Sequence, residues 1–431
     1  MIPRFDPRIF ETDPSARRLV VEVLAAAVDA ADPEAAVRRN VAMSPGLLHI
    51  GGTDFAAPRG RVIVLALGKA ATAMARGAVS ALDGLPVTGV MVSPEPATVP
   101  GLQSVVGEHP VPGPGSLRAG QLLLEVARSA GRDDLVLVLL SGGGSSLAEV
   151  PLPGCTLADL QAVGAALLRS GLPITAVNTV RRHLSGLKGG RLALAAAPAP
   201  VATLIVSDVV GSPLEAIAGG PTVPDPTSSD DAGRVISDAA IAVPSAVLEV
   251  LRRPRSDHLA ATGVVALIAD GPACATAAAL AARRHGVTAT VAEEPLLGEA
   301  RRVGAGLAAA ARLLAPGAMV IHAGETTVRV RGGGVGGRNH ELALAAGIAL
   351  EGATGVLVAA LATDGVDGPS GAAGGVGDAG TVGRGVACGL AARAALDDND
   401  SATYLAATGD QLRCGPTGTN VGDVAVAYRF A

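Results

Sequence analysis

The sequence predicts an α/β protein of two α/β domains, on three observations. First, 431 residues exceed what one ordinary hydrophobic core accommodates. Second, 49% of the residues are hydrophobic and 17% charged, yet only four Phe, two Tyr and no Trp are present. The core must therefore be built from Val, Leu, Ile and Ala, the usual filling of sheets buried on both faces. Third, short apolar runs alternate with helix-period segments along the chain, the pattern of a mostly parallel sheet with crossover helices on both faces.

Each element follows from its local sequence. Residues 14–40 read as two helices, with Asp13-Pro14 and Asp32-Pro33 each supplying an N-cap followed by Pro at the first helical position. "RVIVLALGKAATAMARGAVSAL" reads as strand, tight Gly-Lys turn and Ala-rich helix. "VTGVMVSP" is a strand, and "DDLVLVLLSGGGSS" is a buried strand ending in a loop with a bare backbone. "CTLADLQAVGAALLRSG" is an amphipathic helix, and "VATLIVSDVVG" is again strand and loop. Residues 222–262 turn rich in Pro, Ser, Asp and Arg around one helical stretch, which sets the expected boundary between domains 1–245 and 246–431. A second unit is expected to begin at "GVVALIAD" and continue through helix "PACATAAALAARRHG", strand "VTATVAE", a helix over 299–314 and strand "GAMVIHAG". "TTVRVRGGG" alternates polar and apolar residues like an edge strand, "HELALAAGIALEG" is helix and "GVLVAALATDG" is a buried strand.

Bulk properties exclude several functions. The net charge is −5 with no basic block, which argues against nucleic acid as a partner. The start lacks a charged-then-apolar signal pattern, and no apolar run approaches the ~20 residues that span a bilayer. Cys155, Cys274, Cys388 and Cys414 are scattered without metal-ligand spacing, so a cytoplasmic chain without a disulfide framework is expected. Of 34 basic residues only Lys69 and Lys188 are lysine, leaving 32 arginines. Both lysines fall in Gly-rich contexts, where a compact ammonium fits and a guanidinium would not.

In open α/β sheets ligands bind beyond the carboxyl ends of the strands. Strand ends here carry Gly68-Lys69, Ser141-Gly142-Gly143-Gly144-Ser145-Ser146, Asp208, Asp364 with Asp367, and Arg338-Asn339. Lys69 supplies a full positive charge, and Gly142 to Gly144 allow backbone N–H groups to approach an anion as a nest does. Asp208, Asp364 and Asp367 are hard oxygen ligands suited to Mg²⁺ carried by a nucleotide, or one of them could orient an alcohol. Arg338 presents a fork matched to carboxylate or phosphate. The basic segment 178–190, with Arg181, Arg182 and Lys188, reads either as a solvated helix face or as a helix end near an anion site; His183 reads as a structural hydrogen-bonder. Cations, carboxylates and naked backbone together are the parts of a phosphoryl-transfer site.

A rival reading comes from "GGGVGG", where Gly332, Gly334 and Gly337 satisfy the dinucleotide pattern G-x-G-x-x-G. It would imply an NAD(P)H-dependent reductase. The preceding "TTVRVR" is not a fully buried strand, however, and no strand ending in an acid comes ~20 residues later, since Glu351 closes a helix.

With these residues assembled, the chain resembles the two-domain bacterial and archaeal glycerate 2-kinases, whose C-terminal half is a MOFRL domain. The resemblance rests on "LGKAATAM", "EHPVPGPGS", "LLSGGGSSL", "NTVRRHLSGLKGGRLA", "SDVVGSPLEAIAGGPTVPDP", "GETTVRVRGGGVGGRNHELALA", "ATDGVDGPSGAAG" and "CGPTGTNVGD", and covers nearly the whole chain. It implies an N-terminal Rossmann-like domain, a smaller mixed α/β C-terminal domain and an active site in the cleft between them. It further implies transfer of the γ-phosphoryl of ATP to the 2-hydroxyl of D-glycerate with Mg²⁺. Members are sometimes labelled hydroxypyruvate reductase, which keeps the reductase as the alternative. By the same resemblance Lys69 and Arg338 are the catalytic cations and Asp208 the carboxylate near the transferred group. Gly68, Ser141, Gly142, Gly143, Gly144, Ser145, Arg182, Lys188, Asn339 and Asp364 are the candidate nucleotide- or substrate-binding residues, with Asp208, Asp364 and Asp367 toward Mg²⁺. Two departures stand out: His340 where members often carry Gln, and Ser212-Pro213 where they are commonly more acidic. The expected partners are D-glycerate and ATP, with no nucleic acid and no membrane, and a homodimer is left open.

Overall fold

The computed structural model describes residues 7–11, 14–211, 213–253 and 263–430. Asp13, Ser212 and residues 254–262 of the expected linker lie outside the described residues. The strands are β1 (Val41–Ser44), β2 (Leu47–Ile50), β3 (Thr53–Ala56), β4 (Val62–Leu67), β5 (Val87–Ser93), β6 (Leu102–Val106), β7 (Leu135–Leu140), β8 (Val201–Val206) and β9 (Gly263–Ala269). Then come β10 (Thr288–Val291), β11 (Ala318–Gly324), β12 (Val356–Ala362), β13 (Gly374–Asp378), β14 (Gln411–Leu412) and β15 (Asp423–Arg429). Mixed α/β architecture holds throughout, in two compact units: Met1–Asp32 with Ala269–Ala431, and Pro33–Ile268.

In the Pro33–Ile268 unit the main sheet has strand order β6-β5-β4-β7-β8-β9. The pairs β4–β5, β4–β7, β5–β6 and β7–β8 are parallel. This is the order of a doubly wound sheet, reversing between β4 and β7. All six residues of β4, β7 and β8 are buried, as their unbroken apolar sequences require. One face, through Leu65, Val90, Val138 and Ile205, packs on helices Pro114–Arg128 and Arg191–Ala195. On the other, Val64, Ala66, Leu137 and Leu139 are equally buried, and helix Ala71–Ala81 lies against β4 and β5. A small antiparallel meander, β1-β2-β3, and a satellite cluster of helices around Val163, Val180 and Val247 complete this unit.

In the other unit a mixed sheet runs β10-β11-β15-β12-β13-β14, parallel only at β10–β11 among the registered pairs, and antiparallel elsewhere. Helices Ala300–Leu313 and Arg338–Ala349 cover one face through Leu342, Ala346, Ala308 and Ala311.

The structure departs from the sequence reading in four places. The units divide at 32/33 and 268/269 and not at 245/246. "GVVALIA" is β9, an outer strand of the first sheet, so it closes that unit rather than opening the next. Helix Pro14–Ala30, first in sequence, packs on helix Gly271–Arg284. Its apolar stripe of Val20, Leu24 and Val28 needed cover, and the buried Arg17 needed carboxylates, which Asp378 and Asp410 provide. Finally, "TTVRVR" is not a strand. Its end and the adjoining glycines are tied to side chains: Arg331 N and Gly332 N donate to Asn399 Oδ1, Gly333 N to Asp398 Oδ1, and Val335 N to Asp400 Oδ1. Polar–apolar alternation in a loop that hugs a neighbouring turn imitates a strand. A Cβ on Gly332 or Gly334 would fall on Asp398 or Asp400, so these glycines serve close packing and not a pyrophosphate.

Candidate functional site

Where β4 and β7 diverge, their two end loops lock together. Ser141 N donates to Leu67 O (3.0 Å), Lys69 N to Gly142 O (2.9 Å) and Ala70 N to Ser141 Oγ (3.0 Å). Gly68 is needed here: its φ is +135°, and a Cβ would sit 2.2 Å from Ser141 Oγ. The buried Ser141 hydroxyl is thus structural, while Gly142, Gly143 and Ser145 stay partly accessible and Gly144 is packed against Ala218. Among the described residues, the N–H groups of Gly142 and Gly143 donate to no protein acceptor. Two adjacent unpaired backbone donors on a half-buried loop are an anion nest.

Around this nest stand three ionisable side chains. Asp208, two residues past the end of β8, lies so close to Gly142 that a Cβ there would be 2.2 Å from its Oδ2. Burial raises the Asp208 pKa, against the pull of its own backbone N–H, Lys69 and His109. Lys69 is exposed, with its stem 3.2 Å from where a Gly143 Cβ would be. His109 Nε2 is 3.3 Å from that point. Partial burial, Lys69 and Arg181 together lower the imidazole pKa, opposed by Asp208, which favours the neutral form of His109. His109 was not singled out by sequence reasoning, although "EHPVPGPGS" contains it; nothing local marks a loop histidine as facing a distant Lys-Asp pair.

The basic segment 178–190 divides in an unexpected way. Arg182 is buried and pairs with Asp225 (Nε–Oδ1 3.0 Å), also donating to Glu215 O and Thr227 Oγ1. Lys188 is buried in an ion pair with Glu149, whose other oxygen accepts from Ser185 Oγ (2.5 Å). Burial lowers the Lys188 pKa, opposed by Glu149. Both expected binding cations are therefore committed internally, because a charge removed from water requires a partner. His183 Nδ1 donates to Thr179 O (3.0 Å), the structural role expected. Arg181 instead turns to the Gly loop, with Nη2 3.4 Å from Ser145 O and 3.5 Å from Ser146 Oγ.

In the other unit, Arg338 begins helix Arg338–Ala349 and forks onto Asp423 (Nε–Oδ2 2.5 Å, Nη2–Oδ1 2.9 Å), with Glu325 on Nη1 at 3.0 Å. Burial pushes the Asp423 carboxyl up to about 6 against the pull of Arg338. The Arg338 pKa is raised: burial opposes its charge, but Asp423 and Glu325 more than compensate. The pair is ionised at pH 7. Asp367, fully buried, accepts from His340 N (2.9 Å), His340 Nδ1 (2.6 Å) and Asn339 Nδ2 (3.3 Å). Its carboxylate thus caps the helix that carries Arg338 and is not offered to an ion. His340 reaches Gln411 through Nε2 (3.0 Å). Asp364 is half-buried and spends Oδ1 on Val366 N (3.0 Å). Among the described residues no cluster of three or more His, Cys, Asp or Glu could hold a metal ion.

The chain is similar to known proteins along nearly its whole length. A family model described as a domain of unknown function, DUF4147, matches residues 19–252, and the MOFRL family model matches 318–423. A D-glycerate 2-kinase of Thermotoga maritima is 37% identical over 98% of this chain and 99% of its own. A protein of Agrobacterium vitis named putative hydroxypyruvate reductase is 39% identical over 97% of this chain and 95% of its own. The crystal structure of the Thermotoga maritima glycerate kinase superposes with a TM-score of 0.88 at 36% identity, covering 96% of this chain and 99% of that one. The chain belongs to the DUF4147–MOFRL family, the family of these glycerate kinases.

Proposed function

We propose that this protein is a glycerate 2-kinase, transferring the γ-phosphoryl of ATP to the 2-hydroxyl of D-glycerate to give 2-phosphoglycerate and ADP. The observation that carries this reading is the meeting of Lys69, Asp208 and the unpaired Gly142–Gly143 donors at the reversal point of the first sheet. It occurs in a chain related over its whole length to a D-glycerate 2-kinase.

The Gly142 and Gly143 N–H groups hold phosphate oxygens of the nucleotide, and the Lys69 ammonium neutralises charge on the moving phosphoryl. Asp208 orients the 2-hydroxyl and takes up its proton; a raised pKa suits that task better than an ordinary carboxylate's. Neutral His109 adds a hydrogen-bonding group without adding charge. Arg338, forked onto Asp423, is the further candidate cation. Mg²⁺ accompanying the nucleotide would supply further charge neutralisation. Among the described residues no cluster of three or more His, Cys, Asp or Glu is gathered, so the ion would be held chiefly by the nucleotide's own phosphate oxygens, the sparse protein coordination usual for it. A cytoplasmic location belongs to the same proposal: no helix among the described residues is long and apolar enough to cross a membrane, and all four cysteines are free.

The test is one purified sample in two assays, ADP release with D-glycerate and NADH loss with hydroxypyruvate. ADP release dependent on D-glycerate and Mg²⁺ is the expected result. NADH oxidation without it would establish the reductase instead, against a Gly332–Gly337 loop that no strand precedes directly.

A further inference from the structure

We infer that Arg181 is the residue that binds the carboxylate of D-glycerate, making it the determinant of substrate charge. The inference rests on the glycerate-kinase reading and deepens it. D-Glycerate brings a negative charge that must be matched once it leaves water. The candidate basic residues are not equally able to match it. Arg182 is paired with Asp225, Lys188 with Glu149, and Arg338 with Asp423 and Glu325. Arg181 has no carboxylate within ion-pair distance among the described residues. Its hydrogen bonds among the described residues are the two long ones to Ser145 O and Ser146 Oγ, both at the limit of a real interaction.

Its surroundings count the same way. Glu149 lies near enough to favour the Arg181 charge, but its two oxygens are already engaged by Lys188 and Ser185. One carboxylate is thus spent on the buried Lys188, and the partly buried Arg181 faces the Gly loop. Arg181 reaches the same Gly loop that Lys69 and Asp208 flank, through Ser145 O and Ser146 Oγ. A guanidinium takes a carboxylate through two parallel N–H···O bonds, whereas the ammonium of Lys69 acts as a point charge suited to a moving phosphoryl. The two unpaired cations divide the two anionic groups between them.

Arg181→Met keeps the volume of the stem and leaves Glu149 paired with Lys188, so the fold should survive. D-Glycerate binding is measured by calorimetry on wild type and R181M, beside KM for D-glycerate and for ATP. Loss of a charged, hydrogen-bonded contact should weaken D-glycerate roughly 10- to 100-fold in both Kd and KM. KM for ATP should stay within about threefold, and Arg181→Lys should recover part of the loss. Methyl D-glycerate, which is neutral, should bind wild type and R181M alike. D-Glycerate affinity within about threefold of wild type, or an equal loss toward ATP or the methyl ester, overturns the assignment. Wild type that binds D-glycerate without phosphorylating it would refute the kinase reading alone, since the Kd ratio still decides the role of Arg181. Wild type that does not bind D-glycerate would refute both.

Discussion

Gly142→Ala isolates the contact between the Gly loop and Asp208. The φ of Gly142 is outside the left-handed region, so alanine imposes no backbone strain. The added methyl would sit 2.2 Å from Asp208 Oδ2, 2.8 Å from Cγ and 2.9 Å from Oδ1. Ordinary non-bonded contact begins near 3.4 Å, so the carboxylate must retreat by about 1 Å. A misplacement of about 1 Å at a reacting group costs on the order of 10²-fold in rate. Steady-state ADP release with D-glycerate should therefore show kcat reduced by about two orders of magnitude, with a destabilisation of roughly 1–3 kcal/mol typical of an added methyl. The double variant Gly142→Ala/Asp208→Ala separates the carboxylate from the loop. If the methyl acts only by displacing Asp208, adding it to Asp208→Ala should change kcat by less than about threefold. A Gly142→Ala enzyme with near-normal kcat would refute the placement of Asp208 at the reacting hydroxyl.

The same geometry bears on three other perturbations. Lys69→Ala should lower kcat by about 10²–10³-fold, and Lys69→Arg should not restore it, because a planar fork does not fit a point-charge position; wild-type turnover in either variant would remove Lys69 from the chemistry. The acid limb of kcat/KM should lie above the ordinary Asp value of 3.8, because burial raises the Asp208 pKa and activity needs the ionised form. Lys69 lowers that pKa, so in the residual activity of Lys69→Ala the limb should move to higher pH; a limb that stays or moves down contradicts Asp208 as its origin. Arg17→Ala leaves Asp378 and Asp410 buried with only Arg384, which should cost about 3–5 kcal/mol in urea unfolding; a loss below about 1 kcal/mol would mean that the N-terminal helix is not anchored by these pairs.

Much of the site's scaffold was legible in the sequence. "VIVLAL", "LVLVLL" and "VATLIV" could only be doubly buried strands, and the residues just past the carboxyl end of a parallel strand lie at the ligand-binding edge. Lys69, the Gly loop and Asp208 were found that way. "GGVGD" and "QL", by contrast, became β13 and β14 despite weak strand propensity, because their partners in the sheet supply the ladder. "TTVRVR" had the alternation of a strand and is a loop whose end is tied to the side chain of Asn399, through Arg329 O and Arg331 N, in place of a neighbouring strand.

The sequence by itself determined the fold class, the strand ends and the chemical types gathered there, since these depend on residue periodicity and on neighbours a few positions away. Only the tertiary structure decided which charges are spent internally. Arg181 and Arg182 are adjacent and chemically identical, yet Asp225, 43 residues from Arg182, neutralises one and leaves the other facing the loop. Glu149, 39 residues from Lys188, likewise turns a lysine in a motif-like setting into a buried pair. Burial penalises every unpaired charge, so the partner that folding brings near, and not the local sequence, sets which cation remains available to a substrate.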